Sequence, residues 1–346
     1  MDFSIQLSAD YPNKDYGGDR VYADMLEQAV LADKLGFDAV SITEHHLVNC
    51  LMMPAPLQFA VKIASQTSNV KIMTSIVVLP LHDMRSYAGE VIVADIFTEG
   101  RLMLGVGRGA FKYEIERFGI PMEETQERFN ESLDVLQALL TEEEVSWDGK
   151  YYQFEPLTVM PRPMTKGGPP MMMAVMNPEG IYQCTRRGFH IQTTPLSGNH
   201  QLLLDQVDAF NRAKADMKAK EGEVTLTLSR VTHLAQTDAE KQRKIAAAHK
   251  YYGRFDNIFT GPGDVQGGMI AETPCATPID ELAESLLINT PQEMIDKLSP
   301  YAELGIDRVI LNVNFGLDQQ DTLDTIQCFA EEVMPHFNQS LSAAAE

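Results

Sequence analysis

Three short stretches of the chain carry residue types that could do chemistry. The first is Glu44-His45-His46, which sets two imidazoles beside a carboxylate. Neighbouring residues on an extended strand point to opposite faces, so the two histidines are poor joint ligands for one ion. No companion cluster of His, Cys or acid supports a metal there, and none is expected. One histidine facing a cleft is instead a candidate general acid or base, because an unperturbed imidazole titrates near neutrality. The second stretch is Gly105-Val106-Gly107-Arg108-Gly109. Its glycines let the backbone approach a ligand, and Arg108 offers a fixed cation whose planar fork suits a phosphate. Glycines at a strand end also make ordinary tight corners, so this turn gains meaning from the third stretch. There Pro178 opens a helix whose free N–H groups near Met176 and Asn177 could hold a phosphate. Two anion sites on one face point to a single phosphorylated cofactor.

The elements that must position these residues alternate in character. Short apolar or β-branched runs at 3–7, 39–43, 72–79, 101–106, 171–176, 190–193, 225–234 and 308–313 read as strands. Helical spacing separates them, as in 21–35, closed by Gly36, and in 123–140, where Phe129, Leu133, Leu136 and Leu140 share a face. Eight strands each followed by a helix is the pattern of a (β/α)8 TIM barrel, an α/β fold whose active sites form past the C-terminal ends of the strands. No glycine-rich Rossmann fingerprint opens the first unit. The whole of 1–340 is expected to be a single domain. Two insertions interrupt it: a hairpin excursion at 145–160, and a Gly/Pro/Thr-rich segment of weak periodicity at 253–288. The latter, lying after the seventh strand, is expected to be a mobile lid. Met171 to Met173 reads as core strand, and Lys241 to Lys244 as an exposed helix face.

Composition excludes other classes. Among 346 residues, 49 Asp and Glu stand against 28 Lys and Arg, a formal charge of −21. Such a chain is repelled by phosphate backbones and anionic membranes, so neither nucleic acid nor a membrane is an expected partner. No apolar run approaches the ~20 residues of a spanning helix, and the start has no secretory pattern. The cysteines Cys50, Cys184, Cys275 and Cys328 show no CxxC spacing, which fits a reducing cytoplasm.

With these residues in view the chain resembles the bacterial luciferase-like, flavin-dependent monooxygenase family. The resemblance runs from Gly36-Phe37-Asp38 and Thr43-Glu44-His45-His46 through Val78-Leu79-Pro80, Glu99-Gly100-Arg101-Leu102, Gly107-Arg108-Gly109 and Phe118-Gly119 to Thr290-Pro291-Gln292-Glu293. It implies a barrel that binds FMN at its C-terminal face, with His45 as the active-site histidine. It further implies Arg108 as phosphate ligand, assisted by backbone at Gly109, Ala110, Met176 and Asn177, and a homodimer built on the early helices. Thr74-Ser75-Ile76 corresponds to the strand that backs the flavin ring, which implies a cis peptide at Ser75-Ile76. Two positions depart from the family. Gly107 stands where the luciferase α chain has a cysteine, and Gln126 where a second phosphate-binding arginine is found, with Arg128 nearby.

The implied reaction is that of a two-component monooxygenase. A separate NAD(P)H-dependent reductase supplies reduced FMN, which forms a flavin hydroperoxide with dioxygen and oxygenates a small hydrophobic aldehyde, ketone or hydrocarbon. Leu47, Met52, Phe59 and Phe111 are the apolar candidates around the mouth. The rivals are a deazaflavin-dependent reductase or dehydrogenase of the same fold, and a non-catalytic flavin-binding subunit.

Overall fold

The computed structural model describes residues 1–337, apart from 9, 12, 196–199 and 221. Eight parallel strands form the barrel: β1 Asp2–Leu7, β2 Ala39–Ile42, β3 Lys71–Thr74, β4 Leu102–Gly107, β5 Met171–Ala174, β6 His190–Thr193, β7 Leu226–Leu234 and β8 Arg308–Asn312. Each pairs with the next, and β8 returns to β1 with Asp2 beside Arg308 and Gln6 beside Asn312, so the sheet closes. The expected TIM barrel is therefore present.

Alternation along β1 shows how the sequence builds it. Phe3, Ile5 and Leu7 join the core between barrel and helices. Ser4 and Gln6, at the intervening positions, face the barrel interior. Inside, Ala39, Met73, Met103, Met172 and Ile310 pack as an apolar plug, so the methionine run of β5 is core, as read from sequence.

The helices are α1 Gly18–Leu35, α2 Pro56–Ala64, α3 Met84–Phe97, α4 Lys112–Arg117, α5 Thr125–Thr141, α6 Pro178–Arg186, α7 His200–Met217, α8 Asp238–Phe259, α9 Ile279–Ser285, α10 Pro291–Glu303 and α11 Gln319–Cys328. In α1, Val21, Met25, Ala29 and Ala32 are buried at helical spacing, and Gly36 closes the helix with φ 81°. Among the described residues no helix is long and apolar enough to cross a membrane, and all four cysteines are free thiols.

Several elements differ from the expected ones. The run 72–79 is not one strand: β3 stops at Thr74, the Ser75–Ile76 peptide is cis, and Val77–Val78 resumes pairing beside Val106 and Gly107. The cis bond is where the family resemblance places it. Residues 145–148 and 153–157 form the expected hairpin. The segment 253–288 is not an unstructured loop. Its start is the last turns of α8, followed by a hairpin of Val265–Gln266 with Met269–Ile270, then α9, with the short strand Leu287–Asn289 beside β7. Long-range contacts order it. The Arg254 guanidinium meets Asp10 at 2.6 Å, and the Asn257 amide donates to Ala271 O at 2.9 Å. Gly253 lets the returning chain close on α8, since a Cβ there would sit 2.1 Å from Thr273 O. Lys244, read as surface, is buried with its ammonium on Leu234 O and Glu240.

Close packing at the end of β4 gives a direct expectation. A Cβ on Gly105 would lie 2.0 Å from the carbonyl oxygen of Thr74. Backbone cannot step aside as a side chain can, so Gly105→Ala should cost at least about 2 kcal/mol of stability. Chemical denaturation measures this, and an unchanged midpoint would contradict it.

Candidate functional site

The site begins where β2 ends. Glu44 is buried, and its Oε2 accepts the Val78 N–H at 2.7 Å. Its Oε1 lies 2.9 Å from His46 Nε2 and 2.8 Å from His82 Nε2. Burial alone would raise its pKa, but the hydrogen bonds from His46, His82 and Val78 outweigh it and hold the carboxyl at about 2. A depressed folded-state value stabilises the fold above the ordinary carboxyl range, and that contribution is lost as pH falls from 4.5 toward 2. Glu44→Gln should therefore cost roughly 3 kcal/mol at neutral pH and flatten the acid limb of stability. Melting temperature followed across that pH range tests this. A variant that keeps the wild-type acid slope would refute it.

Glu44 thus anchors the strand end, leaving His45 to face the mouth. His45 Nδ1 is 2.9 Å from Glu114 Oε2, and the other Glu114 oxygen accepts the His46 backbone N–H at 2.6 Å. Phe111 stacks on the imidazole with ring centres 4.2 Å apart. With Nδ1 donating to Glu114, the neutral ring presents Nε2 as an acceptor, the arrangement a proton-handling histidine needs. Glu114 escaped the sequence reading. Its only local signal is an acid in the first turn of the six-residue α4.

The expected phosphate ligands follow on the next strands. Arg108 is exposed just past β4, donates to Thr125 Oγ1 at 3.3 Å, and has no carboxylate within 4.0 Å among the described residues. Gly109 adopts φ +83°, and a Cβ there would strike Ile115 and Val78. Ala110 packs against the second core cluster described below. Gly107 is buried, with Ile76 filling the place of a side chain: a Cβ would be 2.8 Å from Ile76 Cδ1. Ser75 donates to Gln192 Oε1 at 2.9 Å. Past the end of the adjacent β5, Met176 is 40% exposed, and Asn177 caps α6 by accepting the Gly180 N–H at 2.6 Å. The register Val106 to Met173 puts Arg108 and Asn177 past neighbouring strand ends. Gln126 bonds to Asn130, and Arg128 lies 4.5 Å over the Tyr151 ring.

The barrel interior above the apolar plug is polar. Gln6 pairs in register with Ser41 on one side and Asn312 on the other. Among the described residues Ser41 Oγ and Asn312 Oδ1 are buried without a hydrogen-bond partner, as is Ser8 Oγ one step nearer the mouth. Unmet buried polar atoms are costly and fit a ligand carrying its own donors and acceptors. Among the described residues no group of three or more His, Cys, Asp or Glu is arranged to hold a metal.

Beside His45 opens a cavity of about 680 Å³, lined among others by Tyr11, Tyr22, Met52, Tyr113 and Met269. Its roof is the 265–270 hairpin, seated by a second core cluster in which Val48, Leu51, Phe111, Tyr251, Ile270 and Leu282 pack together. Asn49 ties the parts: its amide donates to Tyr11 O at 3.0 Å and its Oδ1 accepts the Ile270 N–H at 2.9 Å. Of the expected mouth residues, Leu47 and Met52 line this cavity and Phe111 buttresses His45, whereas Phe59 packs against Tyr22.

A sequence profile described as luciferase-like monooxygenase matches residues 1–308. The chain belongs to that family. It is accordingly an oxidoreductase of the oxygen-incorporating kind. The oxygenase component of a flavin-dependent trigonelline monooxygenase from Acinetobacter baylyi is 26% identical, over 98% of this chain and 96% of the relative. The crystal structure of monooxygenase RslO1 from Streptomyces bottropensis superposes with TM-score 0.86 at 23% identity, covering 97% of this chain and all of the other. The oxygenating constituent of 3,6-diketocamphane monooxygenase from Pseudomonas putida, solved with FMN, matches at TM-score 0.76 and 18% identity over 97% and 98% of the two chains. At these identities the structural likenesses speak to the fold of this luciferase-like chain, and its own residues must carry the rest.

Proposed function

We propose that the chain is the oxygenase component of a two-component monooxygenase that takes reduced FMN from a separate NAD(P)H-dependent reductase and uses dioxygen to oxygenate an organic substrate. The observation that carries this reading is the succession His45, Ser75-Ile76, Gly107 to Ala110 and Met176-Asn177 past the ends of four consecutive strands, β2 to β5. A phosphate fits Arg108 and the capped start of α6. A flat polar ring fits the unpaired Ser41 and Asn312 atoms. Reduced FMN, when bound, supplies the activation of dioxygen. The chain's own tasks are physical. Arg108 holds the phosphate, and Ile76 against Gly107 forms the wall behind the ring. His45 holds or moves a proton at Nε2, and the 265–270 hairpin shuts out water. A single 1–340 barrel, a homodimer and a cytoplasmic location with free thiols complete the reading.

Titration under anaerobic conditions tests it. Reduced FMN should bind and, on admission of air, oxygen should be consumed in a substrate-dependent way. Tight uptake of a deazaflavin with no FMN binding would overturn the assignment in favour of hydride transfer. Binding of flavin without oxygen consumption would favour the non-catalytic subunit.

A further inference from the structure

The cavity beside His45 is charged against the trend of the chain. The protein carries a formal −21, with 49 acids to 28 bases. Yet the cavity is lined by Lys14 and Arg117 and by no Asp or Glu. The two carboxylates nearest the chemistry are withdrawn behind the wall: Glu114 is taken up by His45 and the His46 N–H, and Glu44 by His46, His82 and Val78. Neither cation has a carboxylate within 4.0 Å among the described residues. Lys14 gives one bond to Gly267 O at 2.5 Å, which leaves two of the three ammonium donors unspent. Arg117 gives one bond to Tyr113 O at 3.0 Å, and its guanidinium lies 3.4 Å from the centre of the Tyr113 ring. Stacked in this way, the fork is held flat and pre-organised.

The remainder of the lining suits a flat ring. Tyr11, Tyr22 and Tyr113 contribute aromatic surface, and Met52 and Met269 contribute sulfur that packs well against ring edges. Several of the other polar groups are already committed. Tyr11 donates to Lys14 O at 2.8 Å, Tyr22 to Met52 O at 3.3 Å, and Asn49 is spent on Tyr11 and Ile270. Among the described residues the unspent donors of this wall are thus those of the two cations and the Tyr113 hydroxyl.

We infer that the substrate is an aromatic or heteroaromatic carboxylate, its ring among the tyrosines beside His45 and its carboxylate on Arg117 and Lys14. This rests on the monooxygenase reading and replaces the uncharged aldehyde, ketone or hydrocarbon that the apolar mouth residues suggest. A carboxylate matches the guanidinium fork two oxygens to two N–H groups, and the surrounding negative field makes those local cations necessary for any anion to enter.

The probes are 2-naphthoate and its uncharged isostere 2-naphthamide, titrated by calorimetry into the wild-type chain, with FMN titrated in parallel. The acid should bind about tenfold more tightly than the amide, as charge-assisted hydrogen bonds at a partly solvated rim allow. That preference should disappear in Arg117→Gln, survive in part in Arg117→Lys, and shrink at about 0.5 M salt, where screening is short-ranged. Lys14→Gln should also reduce it. Because Lys14 holds the hairpin as well, the Arg117 pair is the cleaner arm. Equal affinity for acid and amide, or a preference that persists in Arg117→Gln, overturns the inference. The two readings fail separately: FMN binding with no acid preference sinks only the substrate class, whereas an acid preference with no FMN binding sinks only the flavin assignment.

Discussion

Arg108→Ala should weaken FMN binding by roughly 10- to 100-fold, the range expected for removing charge-assisted hydrogen bonds to a phosphate. The effect is large because of the chain's field. With a net −21, the protein repels a dianion from afar, so affinity depends on cations placed at the site. Arg108 lies past β4, is exposed, and is not neutralised by a carboxylate among the described residues, while Gln126, bonded to Asn130, adds no charge. The control is riboflavin, which lacks the phosphate. Its affinity should be the same in wild type and variant, so the FMN-to-riboflavin ratio should collapse toward one. A ratio near one already in the wild type would show that Arg108 holds no phosphate. Since Arg108 bonds only Thr125 Oγ1 among the described residues, folding should be unaffected, and melting temperature checks this.

His45→Ala should leave FMN affinity within a few-fold of wild type, yet lower coupled turnover by about a hundredfold or more, the usual scale for loss of a positioned proton carrier. Oxygen would still be consumed, but it should appear as hydrogen peroxide rather than product. The imidazole is gripped at Nδ1 by Glu114 and flattened by Phe111, so Nε2 is the atom with work to do. Glu114→Gln supplies an intermediate case. Its single amide oxygen cannot accept from both His45 Nδ1 and the His46 N–H, so coupled turnover should fall between wild type and His45→Ala. Unchanged coupling in His45→Ala would remove the histidine from the mechanism. Unchanged coupled turnover in Glu114→Gln would make that residue a spacer only.

Much of the scaffold was readable because its information is local. The inside-outside alternation of β1 and the helical stripe of α1 repeat over enough residues to mark themselves. The glycines around Arg108 also announce themselves, since close approach of backbone needs glycine wherever it occurs. Glu114 was not readable, because α4 has too few residues to show a period, and its value comes from a histidine 69 positions away. Lys14 and Arg117 look like ordinary surface charges until the fold shows that they line a cavity without acids. The region 253–288 resisted for a related reason. Its order is written in pairings such as Arg254 with Asp10, 244 residues apart, which leave no periodic trace. The break at Ser75–Ile76 interrupts a run of β-branched residues that composition alone joins into one strand.

Asn49 gives the cavity a particular fastening. One buried amide joins the chain after β1, the loop after β2 and the roof hairpin, segments that are far apart in sequence. Lifting the roof therefore frees the Asn49 Oδ1 and the Ile270 N–H together, at about 0.5–1.5 kcal/mol net once water meets them. Lys14 on Gly267 O and the packing of Ile270 hold the same hairpin, so opening it should break these ties together. Asn49 also lines the cavity, so the side chain that fastens the roof is one that a bound ligand would meet.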